Sequence, residues 1–406
     1  MQKPEVVIWG TGNVAKKFFY ENGFRFDIKY FIDNYEPQNY MKHLKIYNPN
    51  QIELKRYKII IAIADWRSIE KQLKEKGLVF YRDYIPYNWL EKDEIPYIDI
   101  MTEITEKKDQ EALISYYQNK RSIAFINGNC QVSRIKQYLK QNRMFNENYV
   151  FLDIPAIHML QKDEVEILLR NKEILKKIKL FITQNISINN TFDCRLSNEY
   201  LINLMPDDVQ YIRIPNLFFD IYFPQGGKEQ DVNKEAYLRY MFPYNDVIID
   251  ELSKKKGFTG GGYSTDEITQ IVNCKELFSH KFLIWIIEYR MKQLSEREAK
   301  CDVKMMDYIE ENYLKEQLFY SRNHPTNRVL KEESIRILQY IDPKWDNTIE
   351  HEEDIMPLSV WEEFIYPSVL YGMQLKFTKS RYSDGISKCK CTMNDEIRKY
   401  LFCHSY

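Results

Sequence analysis

The sequence predicts an α/β protein of two parallel-sheet units in series, a small one at the N-terminus and a larger one whose second half is helical. Three observations carry this. Short apolar runs that suit buried strands alternate with segments whose apolar residues share one helical face, first over residues 1–92 and again over 121–214. Each series opens with a strand that breaks at glycine and passes into a helix: WGTGNVA at 9–15 and INGNCQV at 126–132. The chain, at 406 residues, is also longer than a single core usually serves.

In the first unit, EVVIW at 5–9 is a strand, followed by the Gly10-Thr-Gly12 turn and an amphipathic helix over 16–21. This is G-x-G-x-x-(G/A) in a strand–turn–helix setting. A second strand, IKYFI at 28–32, ends at Asp33-Asn34, about twenty residues past Gly12, where a ribose-binding carboxylate is expected. A third strand over 57–64 and a helix over 69–76 complete a small doubly wound, Rossmann-like sheet. Gly10, Gly12 and Asp33 are therefore candidate nucleotide-binding residues. Such glycines also serve the backbone path when no phosphate is present, so a purely structural domain stands as the alternative. Residues 93–120 are charged and read as a linker helix over 104–117, solvated on one face.

The second unit spans 121–406. SIAFI at 122–126 is a strand that breaks at Asn127-Gly128-Asn129; after Cys130, Val132, Ile135, Tyr138 and Leu139 share one helix face. Strands over 149–153, 179–183 and 209–214, with a helix over 165–175, continue a βαβαβ order whose reactive edge lies at the strand C-termini. Cys130, Gln184 and Asn216 each follow a strand end. Helices over 278–291, 303–314 and 327–341 make the later half helical. Gly260-Gly-Gly before Tyr263 opens a capped helix, as a hinge or a phosphate cradle.

Cys130 is the residue of greatest chemical interest. At a helix start its sulfur lies beside free backbone N–H groups, which lower a thiol pKa and can hold a developing oxyanion. His324, in YSRNHPT at 320–326, is a distant histidine able to complete a nucleophile–base pair. Many cysteines are simply small buried hydrophobes, and that reading stands beside the catalytic one. His158 competes with His324 for the base. Cys389 and Cys391 with Cys403 and His404 do not make a usual zinc set, so no metal is expected. Paired acids such as Asp207-Asp208 and Glu352-Glu353-Asp354 read as solvated loop charges.

A net charge of −1 gives no electrostatic argument for nucleic acid. No apolar run approaches the roughly 20 residues of a membrane span, and MQKPE lacks a signal-peptide core. Seven scattered cysteines fit a reducing cytoplasm. The expectation is a cytoplasmic protein with no membrane span, able to form oligomers.

The W-G-T-G-N-V-A-K-K-F run, Asp33-Asn34 and the I-I-I-A-I-A strand resemble the small Rossmann-like domain that precedes the acyltransferase part of bacterial sugar O-/N-acyltransferases. That resemblance implies a grip on a nucleotide-linked sugar. In the second unit, G-N-C-Q at 128–131, IPNLF at 214–218 with YFPQ at 222–225, Tyr263-Ser-Thr265, Arg297-Glu-Ala299 with Asp302 and Asp307, and LFYSRNHPT at 318–326 resemble the WcbI-type polysaccharide biosynthesis acetyltransferases. The matches run in family order across nearly all of 121–406.

This resemblance implies an architecture related to SGNH hydrolases and an enzyme that uses coenzyme A, as acetyl-CoA, to acylate a sugar hydroxyl in capsule or surface-glycan biosynthesis. The acceptor would be a sugar, nucleotide-sugar or glycan. Cys130 and His324, with Asn129 and Gln184 at the oxyanion, form the implied catalytic set. Gly128, Gln131, Arg134, Arg297, Arg322 and Asn323 form the implied coenzyme A contacts, the arginines being equally plausible as salt-bridge partners. SGNH hydrolases carry an acid three residues before the histidine; here that position is Ser321. An SGNH-type glycan esterase or deacetylase, and a non-catalytic nucleotide-sugar binding protein, are the alternatives.

Overall fold

The computed structural model describes residues 3–35, 40–90, 92–170, 172–226, 246–254, 262–351, 355–359, 362–378, 382–383, 390–392, 394–395 and 397. Gly260, Gly261, Glu352, Glu353, Asp354, Cys389, Cys403 and His404 lie outside them. The chain is a mixed α/β protein with parallel sheets and divides into two compact units, residues 1–120 with 152–154, and 121–151 with 155–406.

In the first unit the strands are β1 (Glu5–Trp9), β2 (Asp27–Ile32), β3 (Tyr40–Met41), β4 (Leu44–Tyr47), β5 (Lys58–Ile61) and β6 (Tyr84–Pro86), ordered β3-β4-β2-β1-β5-β6. All neighbours are parallel except β3 and β4. Val6, Val7, Ile8 and Trp9 are all buried, as a central parallel strand covered on both faces requires. The third expected strand is shorter than 57–64. Its register on β1 ends at Trp9↔Ile61, because β1 turns away at Gly10 and leaves nothing to pair with. Helices Tyr97–Glu103 and Lys107–Gln118 group with this unit, where the sequence reading places one linker helix.

The second unit holds a four-stranded parallel sheet of β7 (Ser122–Asn127), β8 (Tyr149–Phe151), β9 (Ile178–Gln184) and β10 (Gln210–Ile214), ordered β10-β9-β7-β8. Phe125, Phe181 and Tyr211 stack across β7, β9 and β10 in register, with centroids 5.4 and 5.5 Å apart. On the other face Ala124, Ile126, Leu180, Ile182, Ile212 and Ile214 pack against helices Cys130–Lys140 and Asn327–Ile341. The period of two along each strand thus separates an aromatic face from an aliphatic one. A second core joins the 217–223 segment to helices Thr265–Val272, His280–Glu298 and Pro367–Gly372. The long helix runs past the expected residue 291 to Glu298, started by Ser279, whose hydroxyl accepts from Phe282 N–H. A short hairpin, β11 (Phe319–Ser321) and β12 (His324–Pro325), precedes the Asn327–Ile341 helix.

Gly10 is a position where only glycine fits. Its φ is +119°, and an added Cβ would stand 2.5 Å from Ile63 Cγ2 and 2.8 Å from the Ala62 carbonyl oxygen. Gly10→Ala is expected to cost at least about 1–3 kcal/mol in backbone strain alone. Urea unfolding of the two proteins checks this; an unchanged midpoint would contradict the turn geometry.

Candidate functional site

In the second sheet β7 is flanked by the second strand on one side and the third on the other. Its C-terminal end is therefore the topological switch point, where doubly wound sheets open a crevice. The chain leaves β7 there through Asn127-Gly128-Asn129 and starts a helix at Cys130. Asn129 is the N-cap: its Oδ1 accepts the Gln131 N–H at 2.9 Å. Its own N–H donates to Gln184 Oε1 at the end of β9 (2.9 Å), and its Nδ2 donates to Asn216 Oδ1 after β10 (3.0 Å). Three strand ends are thereby joined at one rim. Gly128 is required for this closeness, since a Cβ there would lie 2.7 Å from Gln184 Oε1 and 2.5 Å from Val132 Cγ1.

Gln131 lies beneath that rim with no exposed surface. Its Nε2 donates to the carbonyls of Leu217 and Asn323, both at 2.8 Å, while its Oε1 accepts from Gln184 Nε2 and Leu217 N–H, both at 3.1 Å. A primary amide has two donors and two acceptor lone pairs; here all four are used. The bond to Asn323 spans 192 positions of sequence and links the neighbour of Cys130 to the neighbour of His324. The Cys130 turn and the β11–β12 hairpin are thus held at one place.

The hairpin is braced from below. Arg322 N–H and Nε donate to Glu363 Oε1 at 3.0 and 3.1 Å, and the Arg322 carbonyl accepts from Phe219 N–H at 2.7 Å. Both side chains are buried. Gly226 leaves room for the guanidinium, which a Cβ there would approach to 2.7 Å. Burial pushes the Glu363 carboxyl up to about 8, with the Arg322 charge opposing. Asp246, bonded to the Tyr366 hydroxyl at 2.6 Å, is raised to about 6 by burial.

The implied residues divide accordingly. Asn129 stands at the exposed rim, Cys130 and His324 are half-buried there, and Gly128 shapes the turn. Gln131 and Gln184 are buried; Gln131 bonds to protein at all four amide positions, and Gln184 accepts from Asn129 N–H and donates to Gln131. Arg322 is paired with Glu363. Arg134, half-buried, donates to Gln137 Oε1. Arg297 donates to the Phe218 carbonyl at 2.7 Å and lines a cleft of about 280 Å³ with Asn185, Gln293, Glu296 and Lys300. His158 is exposed, one residue past Ile157, whose N–H donates to the Gly128 carbonyl, and so stays near the same turn. Ser321 is buried and donates to Asn323 Oδ1. The carboxylates beside this hairpin come from Glu362 and Glu363, which no local spacing reveals.

The thiol departs from expectation. Burial pushes Cys130 up from the ordinary value of 9.0, outweighing its own and the Gln131 N–H groups and the Arg134 charge. A helix start lowers a thiol pKa and desolvation raises it; here desolvation is the larger effect.

In the first unit, Asp33 accepts from the Thr11 hydroxyl through Oδ2 and from Tyr35 N–H through Oδ1. Nothing lies within 4 Å of a Cβ added to Gly12, so the space at the start of the Asn13–Asn22 helix is open. The cleft of about 420 Å³ in this unit lies elsewhere, at the start of β2 beside Asp27, Ile28 and Leu44. Among the described residues no His, Cys, Asp and Glu group is arranged to hold a metal. No described helix is long and apolar enough to cross a membrane.

Residues 123–344 match the family described as polysaccharide biosynthesis enzyme WcbI. A solved structure of WcbI, described as a novel polysaccharide biosynthesis enzyme, native and without a disulfide bond between coenzyme A and one of its cysteines, is similar in fold. The TM-score is 0.50 at 17% identity, over 70% of this chain and 91% of that one. No curated protein matches.

Two outcomes follow from these protonation states. Alkylation of Cys130 by iodoacetamide, followed by peptide mass spectrometry, is slow at neutral pH and still rising above 9.0. A rate plateau reached by about pH 8 would mean an activated thiolate. Glu363 is ionised above 4.5 in the unfolded chain but keeps its proton to about 8 when folded. The folded state therefore binds more protons between those values, and stability falls as pH rises through that window. Glu363→Gln should flatten this part of the pH–stability curve measured by urea unfolding; an unchanged slope would exclude Glu363 as its source.

Proposed function

Because this chain belongs to the WcbI family of polysaccharide biosynthesis enzymes, we propose that it is a coenzyme A-dependent acyltransferase acting on a sugar hydroxyl. The observation that carries the reading is the Gln131–Asn323 hydrogen bond, which holds the Cys130 helix start and the His324 hairpin together at the switch-point crevice. The coenzyme A named for the similar WcbI structure, and the cysteine of that protein discussed with it, support a donor thioester placed beside Cys130.

The chemistry assigns each group a task. His324 removes the proton of the sugar hydroxyl as its oxygen attacks the thioester carbonyl. The Cys130 N–H, at the positive end of its helix, and Asn129 Nδ2 face the oxygen on which negative charge collects. The C–S bond then breaks, and coenzyme A leaves as thiol with the proton that His324 carried. A thiol kept protonated by burial is a poor nucleophile at neutral pH. The reading is therefore direct transfer, with Cys130 lining the donor site and no acyl-enzyme. Gln131, Gln184 and the Arg322–Glu363 pair act through the residues they hold.

The experiment follows free thiol and labelled acyl product from acetyl-CoA. His324→Ala lowers transfer by about 10²–10⁴ with coenzyme A affinity little changed. His158→Ala stays near wild type, and Cys130→Ala keeps most of its activity. Complete loss in Cys130→Ala, with a trapped acyl-enzyme in the wild type, would replace direct transfer by a thioester route. Loss in His158→Ala alone would move the base, and acyl release to water with no sugar product would make the protein an esterase.

A further inference from the structure

One face of the His280–Glu298 helix has features that the proposed acyl transfer does not use. Trp285, Tyr289, Gln293 and Glu296 follow one another at spacings of three or four residues and so form a single stripe, with Lys300 just past the helix end. The upper part is aromatic. Trp285 and Tyr289 have parallel rings (7° between planes) with centroids 5.4 Å apart, and they are 54% and 43% exposed. Ring faces in contact lie about 3.5–4 Å apart, so much of that separation is lateral offset and each ring keeps part of its face open. The pair is anchored: Trp285 stacks on Phe282, Phe282 lies tilted against Phe278, and Phe278 stacks on buried Tyr366.

The lower part of the stripe is polar and concave. Gln293 Nε2 donates to the Tyr289 hydroxyl at 3.0 Å, joining the rings to the cleft lined by Gln293, Glu296, Arg297, Lys300 and Asn185. Asn185 directly follows Gln184, so this cleft opens at the end of β9, beside the crevice. The stripe therefore runs from an exposed aromatic staircase to the edge of the reaction site.

We propose that this stripe binds the acceptor as a carbohydrate chain of several residues and feeds its end into the crevice. The proposal rests on the acyltransferase reading and narrows its acceptor to a glycan instead of a lone sugar. Flat, rigid, exposed rings present a face to the C–H side of a pyranose, a weak but cumulative contact. Amides and charged groups of both signs in the cleft match a ring of hydroxyls, which both donate and accept. A nucleic acid strand would also stack, but it needs a continuous basic track; here Glu288 and Glu296 interrupt the lysines. Large aromatics left exposed on a polysaccharide enzyme are better explained by substrate than by chance.

The test uses the full chain and two separate readouts. Tryptophan fluorescence and calorimetry follow titration with cello-, manno-, galacto- and chito-oligosaccharides of increasing length, and with adenosine 3′,5′-bisphosphate as a competitor. Binding is expected to tighten with chain length. Trp285→Ala should weaken it at least tenfold, or about 1.4 kcal/mol, and Trp285→Phe should keep most of it. In the transfer assay Trp285→Ala and Tyr289→Ala should raise KM for an oligosaccharide acceptor, leaving kcat and the KM for acetyl-CoA unchanged. Binding without acyl transfer would sink the acyltransferase reading but keep the glycan surface. No binding by any series, displacement by the nucleotide, or a dimer abolished by Trp285→Ala would overturn the surface itself.

Discussion

The site in the second unit depends on one saturated amide. Gln131 is fully buried, yet no hydrogen-bonding capacity of its side chain is wasted: Leu217 takes one donor and supplies one N–H, Asn323 takes the other donor, and Gln184 fills the second lone pair. A buried polar group left unmade costs about 1–3 kcal/mol, so any shift of these segments would strand several groups at once. The same low-dielectric surroundings that penalise an unmade bond strengthen each one that is made. The amide therefore acts as a gauge block. It sets the spacing between the first helix of the sheet, the end of β9, the segment after β10 and the hairpin that carries His324.

That arrangement explains why the thiol and its surroundings behave differently from the simple picture of a helix-terminal cysteine. Cys130 follows the Asn129 turn that engages Gln184 and Asn216, and partial burial of its sulfur outweighs the helix start. A reaction in which Cys130 remains a thiol, and the helix start serves the oxyanion instead, needs no compromise between them.

Much of this was legible in the sequence. The strand–turn–helix units at Gly10 and Cys130 follow from apolar periodicity and from turn residues, which are local signals. Cys130, Gln184 and Asn216 could each be assigned to a strand end because parallel α/β order puts reactive loops at one edge. Gly128 and Asn129 carry local reasons as well, a close approach and a helix cap. What was not legible is non-local. The G-N-C-Q resemblance makes Gln131 a coenzyme A contact, and only the fold shows its side chain buried against Leu217 and Asn323. Arg322 reads as a phosphate contact until Glu363, some forty residues later, is found beside it. The direction of the thiol shift depends on burial, which spacing does not encode. Very short strands such as β3 and β12, two residues each, exist only through their partners.

The Arg322–Glu363 pair shows why positioning and stability should be kept apart here. Holding both groups charged in a buried setting would be costly, and their attraction often does no more than offset that cost, so the contact is weak evidence of stabilisation whether or not Glu363 is ionised. Burial raises the Glu363 carboxyl above the ordinary range even with a guanidinium at 3.1 Å, so desolvation outweighs the attraction here. Two apolar side chains of similar volume would fill the same space more cheaply. They would not, however, fix the Arg322 backbone: Glu363 Oε1 accepts from its N–H as well as from its Nε, and the neighbouring carbonyl receives Phe219. Those bonds set the twist of a hairpin only a few residues long, two positions before His324. Under the acyltransferase proposal, His324 as the base must meet a sugar hydroxyl within hydrogen-bond reach, and those bonds help to fix the hairpin that carries it.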